Sequence, residues 1–243
     1  MNGEKLLSPA GRCEDRRFVA GAGRYTADLL PGDALHAVFL RSPISRGRIR
    51  YLSIDAARSA AGVTAILTAD DAAQDGVEYM VWTGAPVRDD GAASSESQRP
   101  LLNRAVIRHL GEPVCMIIAK TQKAALDAME LIDVAYDADD EIALSIDDLQ
   151  GPLVWPGSAD NIAAFHRLGD KPAVDAALTK AAQTVRFDFD ISKVTACTIE
   201  MRSALASIDA NGKLCLTTSA QSPFALHGEL AKFCLLYTSD AAD

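Results

Sequence analysis

Short apolar runs punctuated by turn residues mark the first half of the chain as a series of strands. Leu35-His36-Ala37-Val38-Phe39-Leu40 predicts one, stopped by Ser42-Pro43 because proline cannot extend a ladder. Arg48 to Ile54 predicts a second, with Ile49, Tyr51 and Ser53 on one face. Asp55 is expected to cap a short Ala-rich helix, Ala56 to Ala61, with Gly62 as its left-handed exit before a strand at Val63 to Leu67. Thr83 to Pro100 carries Gly84, Pro86, Asp89-Asp90-Gly91 and Ser94-Ser95, and reads as a surface loop. Ala105 to Leu110 and Pro113 to Ala119 predict two strands joined through Gly111-Glu112.

A helical period comes next. Thr121 is the N-cap, Ala125, Ala128, Met129 and Ile132 fall at i, i+3, i+4 and i+7, and Gln122, Lys123, Asp127 and Glu130 take the other face. Asp133 to Tyr136 predicts a strand, closing a strand–helix–strand unit over Pro113–Tyr136. Strands mixed with helices in this way indicate an α+β or mixed α/β domain, and the fold class taken from the whole pattern is α+β. Asp137 to Arg167 is acidic and broken by Pro152, Pro156 and Gly157, so it reads as a linker, with Leu153, Val154 and Trp155 able to lie against a surface.

Beyond it, Asp170 is placed to cap a helix whose small face is Ala173, Ala176, Ala177 and Ala181. Val185, Phe187, Phe189 and Ile191 alternate with Arg186, Asp188 and Asp190, the period of a strand with one wet face. Ala204 to Ile208 and Leu214 to Thr218 flank Asp209–Lys213, where Asn211-Gly212 suits a tight turn, and so predict a hairpin. A last helix should run from Phe224 to Phe233, after Ser222-Pro223.

Composition adds bounds to this picture. The chain has 243 residues, 49% of them hydrophobic, enough to bury a substantial core. A net charge of -9 opposes a nucleic-acid or anionic-membrane surface, because polyanions are repelled. Cys13, Cys115, Cys197, Cys215 and Cys234 include no Cys-x-x-Cys pair, so neither a disulfide framework nor a metal–thiolate site is expected, and a reducing cytoplasm fits. Cys115, inside Val114–Ile118, reads as a small core residue. Met1 to Asp15 has no apolar h-region, and no later run is long enough to span a bilayer. His36, His109, His166 and His227 lack ligand spacing, so no side-chain metal site is expected. Arg46, Arg48 and Arg50 alternate as a solvated strand face.

Several short motifs occur in order along the chain. They are Glu14-Asp15-Arg16-Arg17-Phe18 with Gly21, Gly23, Tyr25 and Asp28; Leu35-His36 with Arg41-Ser42-Pro43; and Ile54-Asp55 with Gly62-Val63 and Leu67-Thr68 and Asp71. Gly111-Glu112-Pro113-Val114, leading to Ala119 and Thr121, completes the set in this half. In this order they resemble the molybdenum-containing large subunits of the carbon-monoxide dehydrogenase, aldehyde oxidase and xanthine dehydrogenase family. The resemblance covers nearly all of Arg12 to Phe233. It implies a leader (1–20), an α/β hammerhead domain (21–139), a linker (140–167) and the truncated start of a molybdopterin-binding domain (168–233).

In that last segment the family's Met-Glu-Pro-Arg corresponds to Ile199-Glu200-Met201-Arg202, with both flanking positions changed and Glu200 and Arg202 kept. The family's Ser-Thr-Gln corresponds to Ser219-Ala220-Gln221, and its glutamine sits close to the apical oxo ligand of molybdenum. The resemblance therefore implies Gln221 as a cofactor-binding residue, a neutral amide donor that does not compete for the metal. On its own chemistry Gln221 reads as a polar strand-end residue making backbone contacts. Glu200 and Arg202 are expected to form a buried or interface ion pair rather than a catalytic one.

The parent's implied activity is water-dependent oxidation of a small substrate. Its implied cofactor is molybdenum-molybdopterin in the cytosine dinucleotide form. Its implied partners are an FAD-binding medium subunit and a small subunit carrying 2Fe-2S clusters, with dimerisation through the large subunit. The family's catalytic glutamate, glycine-rich pterin segment and substrate-selecting loops are expected to lie beyond this chain, which leaves it without catalytic residues of its own. Cys234–Asp243 resembles the translation of a sequencing-library adapter, so residues 234–243 are expected to be a foreign tail. The competing readings are a standalone hammerhead-fold binding or assembly module and an unrelated two-domain α+β protein.

Overall fold

The computed structural model describes residues 12, 14–80, 99–140, 149, 151–155, 158–162, 168–189, 191–192 and 194–233. The expectations for the extreme N-terminus, for residues 83–98, for His166 and for the tail 234–243 lie outside the described residues. In chain order the elements begin with α1 (Asp15–Val19), a 3-10 turn (Thr26–Leu29), β1 (His36–Arg41), β2 (Gly47–Ser53), α2 (Asp55–Arg58), β3 (Val63–Leu67) and α3 (Ala69–Gln74). Then come β4 (Tyr79–Met80), β5 (Arg99–Pro100), β6 (Val106–Ile107), β7 (Pro113–Ala119), α4 (Gln122–Met129) and β8 (Asp133–Ala138). The remainder is α5 (Lys171–Lys180), β9 (Ala204–Ile208), β10 (Leu214–Thr218) and α6 (Pro223–Phe233). The chain divides into two compact units, Leu35–Asp190 with Phe224–Asp243, and Met1–Ala34 with Ile191–Pro223.

The larger unit is built on two antiparallel three-stranded sheets, ordered β1-β7-β3 and β6-β2-β8. The central strand β7 reads Pro-Val-Cys-Met-Ile-Ile-Ala, and Val114, Cys115, Ile117 and Ala119 are fully buried. Burying a side chain the size of Ile117 is worth about 1.5–3 kcal/mol. Against this sheet α4 lays Ala125 and Ala128, both fully buried, with Met129 and Ile132 packed beside them. Thr121 caps α4 by accepting from the Ala124 amide at 3.1 Å. Small residues let helix and sheet approach closely. A Cβ on Gly62 would lie 3.2 Å from the Ala124 Cβ, and Gly62 holds φ +85° where the chain enters β3.

The strand–helix–strand unit crosses between sheets, since β7 belongs to one and β8 to the other. Three further expectations need correction. Tyr51 and Ser53 do not share the inward face with Ile49: the ladder slips between Ile49 and Tyr51, so Ile49 and Leu52 turn inward and Tyr51 is exposed. The helix α2 begins at Asp55, with Ile54 at the cap position and no side-chain cap. Ala105–Leu110 contributes only Val106–Ile107, which pairs with β2 and not with β7. Side chains occupy the backbone groups a longer ladder would need. Asn103 donates to the Val106 carbonyl at 2.6 Å and accepts from the Ala105 amide, and Glu112 accepts from the Arg108 amide at 2.7 Å.

Several of the ordered motifs act as fasteners. Asp71 accepts from both the Thr68 amide and the Thr68 hydroxyl at 2.7 Å, closing a capping box, and Asp28 accepts from the Tyr25 amide at 2.8 Å. The Arg41-Ser42 and Gly111-Glu112 segments interlock: Ser42 N–H donates to the Glu112 carbonyl, Gly111 N–H to the Ser42 carbonyl, and Arg41 to the Gly111 carbonyl, each at 2.9 Å. In the linker, Asn161 donates to the Pro152 carbonyl and accepts from the Val154 amide, and the Arg108 guanidinium lies 4.2 Å from the Trp155 ring centroid. Arg46 pairs with Asp139 at 2.8 Å and is half-buried, while Arg48 and Arg50 are exposed.

Asp170 caps α5 through the Ala173 amide at 3.0 Å, but none of the helix's residues is buried. Val185–Phe189 forms no strand, and its apolar side chains are exposed. A strand requires a ladder partner, and none of the described residues pairs with this run. Among the described residues no helix is long and apolar enough to cross a membrane.

Candidate functional site

The smaller unit carries β9 and β10, paired in the register Ala204↔Thr218 to Ile208↔Leu214. Their connection is held by Asp209, whose carboxylate accepts from the Asn211 and Lys213 amides at 2.8 and 2.9 Å, with Gly212 at φ +80°. The Lys213 amide and then the Asn211 amide stabilise the anion and hold the Asp209 carboxyl below the ordinary carboxylate value. This turn fixes the register, and the register in turn sets where the chain emerges from β10.

At the open end of the hairpin, the Thr218 hydroxyl donates to the Ser203 carbonyl at 2.8 Å. One residue on, the Ser219 hydroxyl donates to the Glu200 carboxylate at 2.7 Å. The Thr198 hydroxyl donates to the Glu200 carbonyl at 2.5 Å. Residues 198–203 and 218–219 are thereby laced together, and Gln221 leaves this joint two residues beyond Ser219. Its side chain is exposed, and among the described residues it forms no hydrogen bond.

The expected Glu200–Arg202 ion pair is not formed among the described residues. Arg202 is exposed, and the half-buried Glu200 takes a hydroxyl partner instead. Ser219 was legible as part of a motif, while its bond to Glu200 depends on a hairpin register that no spacing within either motif reports.

Elsewhere the candidate chemistry is quiet. Cys115 is fully buried, and desolvation pushes its thiol up to about 11, whereas Cys197 and Cys215 are exposed. His36 opens β1, His109 Nδ1 lies 3.0 Å from the Leu110 carbonyl, and His227 sits exposed on α6. Among the described residues no group of three or more His, Cys, Asp or Glu side chains converges.

The model of the aldehyde oxidase and xanthine dehydrogenase a/b hammerhead domain matches residues 20–140, and that of the molybdopterin cofactor-binding domain matches residues 154–240. The chain belongs to the family of molybdenum hydroxylase large subunits. It is 31% identical over 216 residues to the nicotine 6-hydroxylase large subunit of Paenarthrobacter nicotinovorans, covering 87% of this chain and 25% of that protein. It is 29% identical over 225 residues to the carbon monoxide dehydrogenase large chain of Hydrogenophaga pseudoflava, covering 86% and 27%. Among solved structures, quinoline 2-oxidoreductase from Pseudomonas putida 86 superposes with a TM-score of 0.77 at 28% identity, over 93% of this chain and 28% of that one. The chain thus spans about a quarter of the length of these relatives.

Gln221 offers an amide whose donors and acceptor are unspent, two residues beyond a serine that already engages the Glu200 carboxylate.

Proposed function

We propose that this chain is the N-terminal part of a molybdenum hydroxylase large subunit and that Gln221 is its first molybdenum-facing residue. The observation that carries the reading is the Ser219–Glu200 bond, which anchors the backbone two residues before Gln221 and leaves its amide free. When bound, the cofactor supplies the two-electron oxidation of a small substrate with oxygen drawn from water. Gln221 would contribute a neutral N–H donor toward an electron-rich oxygen ligand, with the Ser219–Glu200 bond anchoring the backbone two residues before it. Arg202, exposed and unpaired with Glu200, carries no catalytic role in this reading.

The proposed parent holds molybdopterin in its cytosine dinucleotide form and passes electrons to FAD and 2Fe-2S clusters on a medium and a small subunit. It dimerises through the large subunit in the cytoplasm. The cofactor-binding domain match supports a molybdopterin cofactor, and relatives named as a large subunit, a large chain and a subunit of a dehydrogenase complex support partner subunits. Residues 21–139 form its hammerhead domain, 140–167 its linker and 168–233 the start of its cofactor domain.

The test is the source DNA beyond the codon for Phe233, followed by expression of the parent with its partner subunits and analysis of its metal. An open frame encoding a glycine-rich pterin loop, and molybdenum retained by the purified complex, are expected. A native stop codon near Asp243, with a well-folded monomer that binds a partner without molybdenum, would establish the standalone module instead.

A further inference from the structure

Glu112 is a buried carboxylate, 4% exposed, in the larger unit. Burying a carboxylate is costly unless it is paired and hydrogen-bonded, so its partners show what it does. The turn at Gly111, with φ +80°, folds the chain back so that Glu112 reaches the residue four before it. Its Oε2 accepts from the Arg108 amide at 2.7 Å, and its Oε1 lies 4.0 Å from Arg108 Nη1. The same Nη1 donates to the Val106 carbonyl at 3.0 Å. Held in this way, the guanidinium presents its flat face to Trp155, with Cζ 4.2 Å from the ring centroid.

Trp155 belongs to a segment folded on itself. Asn161 N–H donates to the Leu149 carbonyl at 3.2 Å, which closes a loop from 149 to 161. Inside it the Asn161 side chain accepts from the Val154 amide at 2.9 Å and donates to the Pro152 carbonyl at 3.2 Å. Ser158 N–H donates to the Trp155 carbonyl at 3.1 Å, which puts Trp155 at the start of the loop's turn.

We propose that Glu112 and Arg108 form a latch that seats this strap on the larger unit through Trp155, Glu112 being a positioning residue that acts through Arg108. The region that composition marks as a linker is thereby anchored twice. At its start Arg46 bonds the Asp139 carboxylate at 2.8 Å and accepts the Asp139 N–H at its carbonyl at 3.1 Å. Gly47 pairs with both Ile107 and Ala138, so Arg46, Arg108 and Asp139 stand at the same end of the β6-β2-β8 sheet. Two arginines at one sheet end hold successive parts of the segment. Every contact lies within the larger unit, so the latch stands independently of the molybdenum reading.

Amide exchange of the whole 243-residue chain tests this. The Val154 and Asn161 amides report closure of the strap, and the Cys115–Ala119 amides of β7 report the core. Arg108→Ala and Trp155→Ala should each raise exchange at Val154 and Asn161 by about two- to thirtyfold while β7 is unchanged. Arg108→Lys keeps the charge but lacks the planar fork, so it should fall between. Glu112→Gln should raise exchange at the same two amides in the otherwise unsubstituted chain and add nothing in a Trp155→Ala background. Unchanged Val154 and Asn161 amides in Arg108→Ala and Trp155→Ala overturn the proposal, as does an effect of Glu112→Gln that is the same with and without Trp155. If Glu112→Gln also opens β7, the double variant Arg108→Ala with Trp155→Ala decides. Exchange no faster than in either single variant supports the latch, and additive effects overturn it.

Discussion

The Ser219 hydroxyl donates a 2.7 Å hydrogen bond to the Glu200 carboxylate, joining two motifs 19 residues apart in the chain. The hairpin between them brings this about, because the β9–β10 register sets Ala204 opposite Thr218 and thereby brings both flanks together. Removing either partner should loosen Gln221 without unfolding the hairpin. In a double-mutant cycle of Ser219→Ala and Glu200→Ala, the coupling is expected to be about 0.5–1 kcal/mol. Hydrogen exchange should rise at residues 218–221 in each single variant while 205–208 stays unchanged; an unaltered pattern would mean the bond does not order this segment.

Acid should weaken the hairpin through Asp209. Its carboxyl is held below the ordinary value by the Lys213 and Asn211 amides, so its stabilising effect is complete above the unfolded value of about 3.9. The effect is lost as pH falls through the lower folded value. Asp71 behaves alike, because the Thr68 hydroxyl and then the Thr68 amide lower its carboxyl. Amide protection at Asn211 and Lys213 should therefore be steady near neutrality and fall below about pH 4. Asp209→Ala should remove that acid dependence; its persistence would place the titration elsewhere.

Thiol labelling should separate the cysteines. In native protein at pH 8, a thiol reagent is expected to modify Cys197 and Cys215 rapidly and to leave Cys115 untouched until the larger unit opens. Peptide mapping by mass spectrometry reads this directly. Labelling of Cys115 at the rate of Cys215 would contradict the packing of β7.

Much of the core was legible because local signals and packing agree. Thr121, Ala125 and Ala128 announce α4 and its buried face, and the limits of β9 and β10 come from alternation and the Asn211-Gly212 turn. The features that were not legible depend on partners distant in the chain. The position of β7 between β1 and β3, the capture of β6 by β2, and the slip that turns Tyr51 outward are all consequences of pairing. Val185–Phe189 shows the converse: its alternation is that of a strand, but alternation without a ladder partner leaves an exposed run. At the site, Gln221 was legible only through family resemblance, while the Ser219–Glu200 bond needed the folded register.

Limited proteolysis should report this difference in packing. The described residues before Asp139 include all but one of the buried apolar side chains, whereas α5 and the run after it bury none. Trypsin is expected to cut first after Lys180, Arg186 or Arg202 and to leave a resistant product containing β1 to β8. Equal resistance on both sides of Arg167 would contradict the account.

The most direct test of the central claim is electron paramagnetic resonance of the partly reduced parent complex carrying Gln221→Ala, compared with Gln221→Glu and the unsubstituted protein at equal molybdenum content. A residue facing the metal should change the molybdenum(V) signal in both variants while molybdenum and pterin remain bound. Identical spectra in all three proteins would show that Gln221 does not face the metal.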